Sequence, residues 1–159
     1  AQVFALSHGK SLRPLIWNME QIRQIYETYL VQAREARRRL KPTDGLFGIG
    51  ERLENAPCHD AFYRAVEEQV ARLAAGAESR EAYEALAYIY QGPQTFTNVD
   101  RVVYWMLIAV QGRTLPLIPR LNPDQARQLR DWYQEVYPRW KRLPVQDQVL
   151  AELNKRGKE

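Results

Sequence analysis

The stretch Val102-Val103-Tyr104-Trp105-Met106-Leu107-Ile108-Ala109-Val110 decides how the chain is read. A surface helix would break such a run with a polar residue every third or fourth position. The β-branched residues would also suit a buried strand. The borders favour a helix: Thr97 and Asp100 precede the run as a cap pair, and Gly112 follows at a C-cap position. A strand would also need a partner, and no second strand pattern exists. The spacing therefore predicts a helix over about 98–111, buried nearly all round, as the centre of the fold.

Working outward, residues 113–121 carry Pro116 and Pro119 and read as an extended connector. Asn122-Pro123-Asp124-Gln125 then places Asn at an N-cap, Pro at the first helical position and Gln at the third. Its seam is Ala126, Leu129, Tyr133 and Val136, ended by Pro138. A last helix, about Pro144 to Lys155, shows Val145, Val149, Leu150 and Leu153.

Upstream, a helix over about 80–91 has Ser79 as cap and stops at Gly92-Pro93. Another, about 56–75, has Asn55 as cap and a seam of His59, Tyr63, Val66, Val70 and Leu73. The first helix starts at Asn18, with Gln21 completing a capping box and Trp17 stapling to Ile22. Its seam of Met19, Ile22, Tyr26, Tyr29, Ala33, Ala36 and Leu40 alternates steps of three and four. Such a heptad-like stripe suits a homodimer as readily as a monomer core. Residues 1–17 show no periodicity and read as a tail or arm. The expected architecture is all-α: one domain over 18–157, with five or six helices around the buried one.

Composition narrows the function. Of 159 residues, 45% are hydrophobic and 26% charged, as in globular proteins. No apolar run is read as approaching the ~20 residues of a membrane span, and no membrane partner is expected. Residues 1–18 lack the plan of a secretory signal. A single cysteine fits a reducing compartment, so the expected location is cytoplasmic. The net charge of +4 favours anionic partners only mildly.

Several chemistries fail on spacing. Three Cys and His residues cannot complete a zinc finger. Neither His8 nor His59 has Glu three residues earlier, so no di-iron pair exists. Gly9-Lys10-Ser11 resembles the end of a phosphate loop, but Phe4 stands where its first glycine belongs. No cofactor is expected.

Three features remain. The turn over residues 51–60 gathers Glu51, Glu54, Cys58, His59 and Asp60. His59 falls on the inward seam, where it serves as a general base, as a metal ligand with Glu51 and Glu54, or as a core histidine bonded to a neighbouring helix. Cys58 is a candidate nucleophile at a helix start, or a small buried apolar residue. The two point about 100° apart and do not face each other. Asp60 completes the candidate catalytic set, although carboxylates also suit a helix start through the dipole alone.

Second, Arg34, Arg37, Arg38 and Lys41 share one helix face, a stripe that would hold phosphates or nucleic acid, or merely complement the helix C-terminus. Glu35 stands four residues before Arg39 and can pair with it. Third, Trp132 and Trp140 lie among arginines and suit a protein interface or, equally, stacking on single-stranded nucleic acid. The glycines at 45, 48 and 50, alternating with Leu46, Phe47 and Ile49, read as a tight turn that tucks apolar side chains under the bundle. Because no catalytic constellation closes, the expected function is a binding or interaction module for a protein or anionic ligand. An enzyme or metal-dependent protein centred on His59 is the alternative, and nucleic-acid binding through Arg34–Lys41 the second.

Overall fold

A computed structural model describes the backbone of residues 13–158 and the side chains of 19–158. Six α-helices and no strand occur among the described residues, so the fold is an all-α bundle. They are α1 (Arg13–Arg39), α2 (Pro57–Gly76), α3 (Ser79–Thr95), α4 (Arg101–Ala109), α5 (Pro123–Val136) and α6 (Pro144–Gly157). A long 3₁₀ segment, Val110–Arg120, continues α4 and leads to α5. The tail expected over 1–17 and the staple residue Trp17 lie mostly outside the described residues.

Most seams fall inward as the periodicity predicts. Ile22, Tyr26, Tyr29 and Ala33 of α1 are buried, as are Val66, Val70 and Leu73 of α2. Ala126, Leu129 and Tyr133 of α5 meet Val149, Leu150 and Leu153 of α6 in the same core. The cap of α5 forms as read: Asn122 Oδ1 accepts from Gln125 N at 2.8 Å, and Gln125 Oε1 accepts from Asn122 N at 3.0 Å.

Boundaries differ in several places. The cap of α2 is Ala56 rather than Asn55, which ends the 3₁₀ turn before it, and the α-helical part of the apolar run is Arg101–Ala109 rather than 98–111. Helix α1 begins at Arg13, so Asn18 is interior rather than a cap; Pro14 suits a first helical turn as well as Asn18 suits a cap. Helix α3 is capped by Glu78 rather than Ser79, with Glu78 N donating to Glu81 Oε1 at 3.2 Å. It also runs through Gly92-Pro93 to Thr95. Both residues are buried, and a Cβ on Gly92 would stand 3.4 Å from the Tyr26 ring. The proline's missing donor falls in the last turn, where it removes a single bond while the buried pair packs against the core.

The apolar run is helical, but its burial is one-sided. Val103, Leu107 and Ile108 are sealed, whereas Trp105 is 45% exposed. The deeper centre lies just beyond it. Gln111, Thr114 and Leu117 are buried, and Arg113, Pro116 and Pro119 are exposed. Both sets step by three, the period of a 3₁₀ helix, whose residues i and i+3 eclipse. The expected extended connector is therefore a wound segment with one buried ridge, and its prolines occupy the outer ridge, where a missing N–H costs the core nothing. By length and composition Arg101–Arg120 could cross a membrane, with a best-window mean hydropathy of 1.2, contrary to the sequence expectation. Its apolar ridge, however, packs against the other helices of the bundle.

Polar groups line this centre. Gln111 Oε1 accepts from Tyr133 Oη at 2.6 Å and from Gln146 Nε2 at 3.3 Å. Gln111 Nε2 donates to Tyr137 Oη at 3.2 Å, and Tyr137 Oη donates to the Tyr90 carbonyl at 2.7 Å. Thr114 Oγ1 donates to the Gln111 carbonyl at 2.7 Å, which leaves Tyr90 Oη to donate to Thr114 Oγ1 at 2.8 Å. Burial pushes the hydroxyls of Tyr90 and Tyr133 well above the usual phenol range and raises that of Tyr137.

Candidate functional site

Helix α1 leads directly into the turn that the sequence singled out, so the basic stripe and the glycine loop occupy one end of the molecule. Gly45, Gly48 and Gly50 have φ of 84°, 76° and 81°, left-handed values that glycine adopts without strain. Phe47 shares that region at φ 54° and has a side chain to accommodate. A left-handed aromatic costs roughly 1–2 kcal/mol, which neighbouring bonds must offset. Gly45 N donates to the Ile49 carbonyl at 2.7 Å, Ile49 N to the Leu46 carbonyl at 2.9 Å, and Lys41 N to Asp44 Oδ2 at 2.6 Å.

The loop does not tuck its apolar side chains under the bundle. Leu46 is 53% exposed, Phe47 98% and Ile49 70%. The sequence reading places them inside as a tight turn tucked under the bundle, because apolar side chains tend to bury. Here the left-handed residues reverse the chain so sharply that the side chains between them point to solvent. Sequence alone held one signal: apolar residues alternating with glycine offer no helical face to bury.

Of the basic stripe, Arg37 is engaged: Nη2 and Nε lie 2.8 and 3.1 Å from Asp100 Oδ1. Asp100, expected to cap α4, is the N-cap residue but makes no side-chain cap bond. This pairing holds the Arg37 guanidinium proton more firmly than usual. Arg38 Nη2 pairs with Glu35 at 3.0 Å, where the sequence suggested Arg39 as partner. Arg34, Arg39 and Lys41 are exposed, and no ion pair forms at them among the described residues. Beside Arg34 a recess of about 300 Å³ opens against residues 95–100.

The residues of the 51–60 turn do not converge. His59 is 5% exposed. Its Nε2 donates to the Leu53 carbonyl at 2.7 Å, since a carbonyl can only accept. Its Nδ1 lies 2.8 Å from Tyr29 Oη and, in the neutral ring, accepts from it. Both nitrogens are thus committed to holding α1, α2 and the 3₁₀ turn Leu53–Asn55 together. Cys58 is buried, and burial raises its thiol above the ordinary range, away from a reactive thiolate. Glu51 and Asp60 are exposed, and Glu54 lies 3.6 Å from Arg52. Among the described residues no three His, Cys, Asp or Glu side chains gather to hold a metal ion. The geometry a base or metal centre would need at His59 is therefore missing, because the turn's acids splay outward while its imidazole turns in.

The two tryptophans part company. Trp132 is half-buried against Tyr133 and Tyr137, with ring centroids 6.4 and 6.1 Å away. Trp140 is 85% exposed between Arg139 and Lys141. No family model, curated protein or solved structure significantly matches this chain.

Proposed function

We propose that this protein is a binding module that docks an anionic partner through the end of the bundle formed by the last turns of α1 and the glycine loop. One observation carries the reading. Exposed Leu46, Phe47 and Ile49 follow closely in the chain after Arg39 and Lys41, exposed cations without ion partners among the described residues. Apolar contact supplies most of the energy when water is excluded, and cations steer the approach. A scatter of single exposed apolar residues is ordinary, whereas three within four positions beside cations mark an interaction surface. A cytoplasmic location belongs to this reading, supported by one buried free cysteine.

The test is a titration of the labelled protein with a heparin fragment, a soluble polyanion, followed by amide chemical shifts. Shifts clustered within residues 34–53, fading as salt is added, support the docking end. Shifts confined to residues 139–142 would move the site to Trp140. An unchanged spectrum at low salt would remove the reading.

A further inference from the structure

We infer that the anionic partner is a lipid surface: Leu46, Phe47 and Ile49 form a tip that enters the headgroup–acyl boundary of a bilayer, while Arg39 and Lys41, just before it in the chain, meet lipid phosphates. The inference rests on the docking end proposed above and names its partner.

Shape is the first argument. Phe47 is 98% exposed at the crest of its loop. A convex tip finds no complement on a flat protein surface without a matching pocket, whereas a fluid interface closes around any protrusion. Backbone is the second. The left-handed conformation of Phe47 is held by the bond between Gly45 and Ile49 and by the Asp44 cap on Lys41. The fold thus holds an aromatic ring outward, 98% exposed. Chemistry is the third. Leu46 and Ile49 are aliphatic, and a nucleic-acid surface would use planar rings on which bases stack. An interfacial anchor uses this mixture of Phe and Leu with flanking Lys and Arg.

Charge is the fourth. Cations close to an anionic leaflet each add attraction that fades within a Debye length. The acids at this end are partly neutralised. Glu35 pairs with Arg38 and Glu54 lies beside Arg52, whereas Asp44 accepts only from the neutral backbone N–H of Lys41 and keeps its charge, which opposes the attraction. Glu51 is exposed and opposes the attraction. The tip therefore needs both its apolar side chains and its cations, which makes binding reversible and dependent on lipid charge.

Sedimentation of the full chain with phosphatidylcholine vesicles, with and without phosphatidylserine, tests this. The protein is expected to sediment with the phosphatidylserine vesicles alone, less so as salt rises. Phe47→Ser should weaken that binding roughly tenfold or more by removing one inserted ring. The pair Arg39→Gln and Lys41→Gln should weaken it by a similar factor through lost phosphate contacts. Phe47→Trp should keep it, with the new indole emission shifting to the blue on vesicles. Circular dichroism and thermal melting of each variant must match the parent, so that lost binding is not lost folding. Binding unchanged by Phe47→Ser would overturn insertion of the tip. Absence of sedimentation with phosphatidylserine, alongside heparin shifts at 34–53, would overturn the lipid partner and leave the docking end standing. Absence of both would overturn the two together.

Discussion

The centre of the bundle and the glycine loop break the rule of apolar inside and polar outside in opposite directions. At the centre, Gln111, Thr114 and Gln146 are sealed from water with four tyrosines, Tyr26, Tyr90, Tyr133 and Tyr137. All of these except Tyr26 find hydrogen-bond partners; the Tyr26 hydroxyl is buried and has none. At the loop, Leu46, Phe47 and Ile49 are given to water and satisfied by nothing. The first violation costs little, because a buried polar group that is bonded restores most of what desolvation takes. The second is uncompensated within the chain. A buried exception belongs to the architecture, and an exposed apolar one points outside the molecule to a partner.

The largest effect that would break this contrast is a charge in the centre. Leu107→Asp should unfold the protein, because an unpaired buried charge costs several kcal/mol against a total stability of ~5–15 kcal/mol. Circular dichroism reads the outcome, and a cooperative, folded variant would show that α4 is not part of the sealed core.

Next comes the network. Gln111→Leu strips an acceptor from Tyr133 Oη and Gln146 Nε2 and should lower stability by about 2–4 kcal/mol in urea denaturation. Tyr133→Phe removes only one donor and should lower it by about 1 kcal/mol. Equal losses would mean that Gln111 is not the hub.

Alkali tests the same tyrosines together. Burial raises the hydroxyls of Tyr26, Tyr29, Tyr90, Tyr133 and Tyr137 above their unfolded value. The folded state then keeps protons that the unfolded chain releases. Their contribution is complete below the unfolded value of about 10 and is lost as pH rises through the folded values. Stability to urea should therefore hold to about pH 9 and fall above about pH 10. Tyrosinate absorbance that grows in five rings while the fold is intact would mean the centre is open to water.

The smallest effect belongs to the loop. Phe47→Ser should change stability by less than about 0.5 kcal/mol, because the ring it removes contacts water rather than the core. A larger loss would mean that the loop packs on the bundle and that its apolar residues have an internal role.

Much of this was legible residue by residue. The three-four stepping of Ile22, Tyr26, Tyr29 and Ala33 gave the buried face of α1, and Asn122-Pro123-Asp124-Gln125 gave the start of α5. His59 was legible as inward, but not its partners, since Leu53 and Tyr29 lie 6 and 30 positions away. The basic stripe was legible as a face, but its division was not. Asp100, 63 positions from Arg37, takes that arginine and leaves Arg34, Arg39 and Lys41 for other work.

Local rules determined the helices: caps, prolines and the 3.6-residue period act within a few positions and need no distant partner. Tertiary structure decided three things. Gly92-Pro93 remains helical as a buried last turn of α3, with the Tyr26 ring packed on the Gly92 backbone. The segment after Val110 winds with a period of three because only a 3₁₀ ridge brings Gln111, Thr114 and Leu117 to one side facing the core. The apolar loop stays outside because left-handed backbone, fixed by bonds across the turn, overrides the tendency of its side chains to bury. The first two were settled by contacts that no window of sequence contains; the third rests on backbone geometry within the loop itself, which residue types alone do not specify.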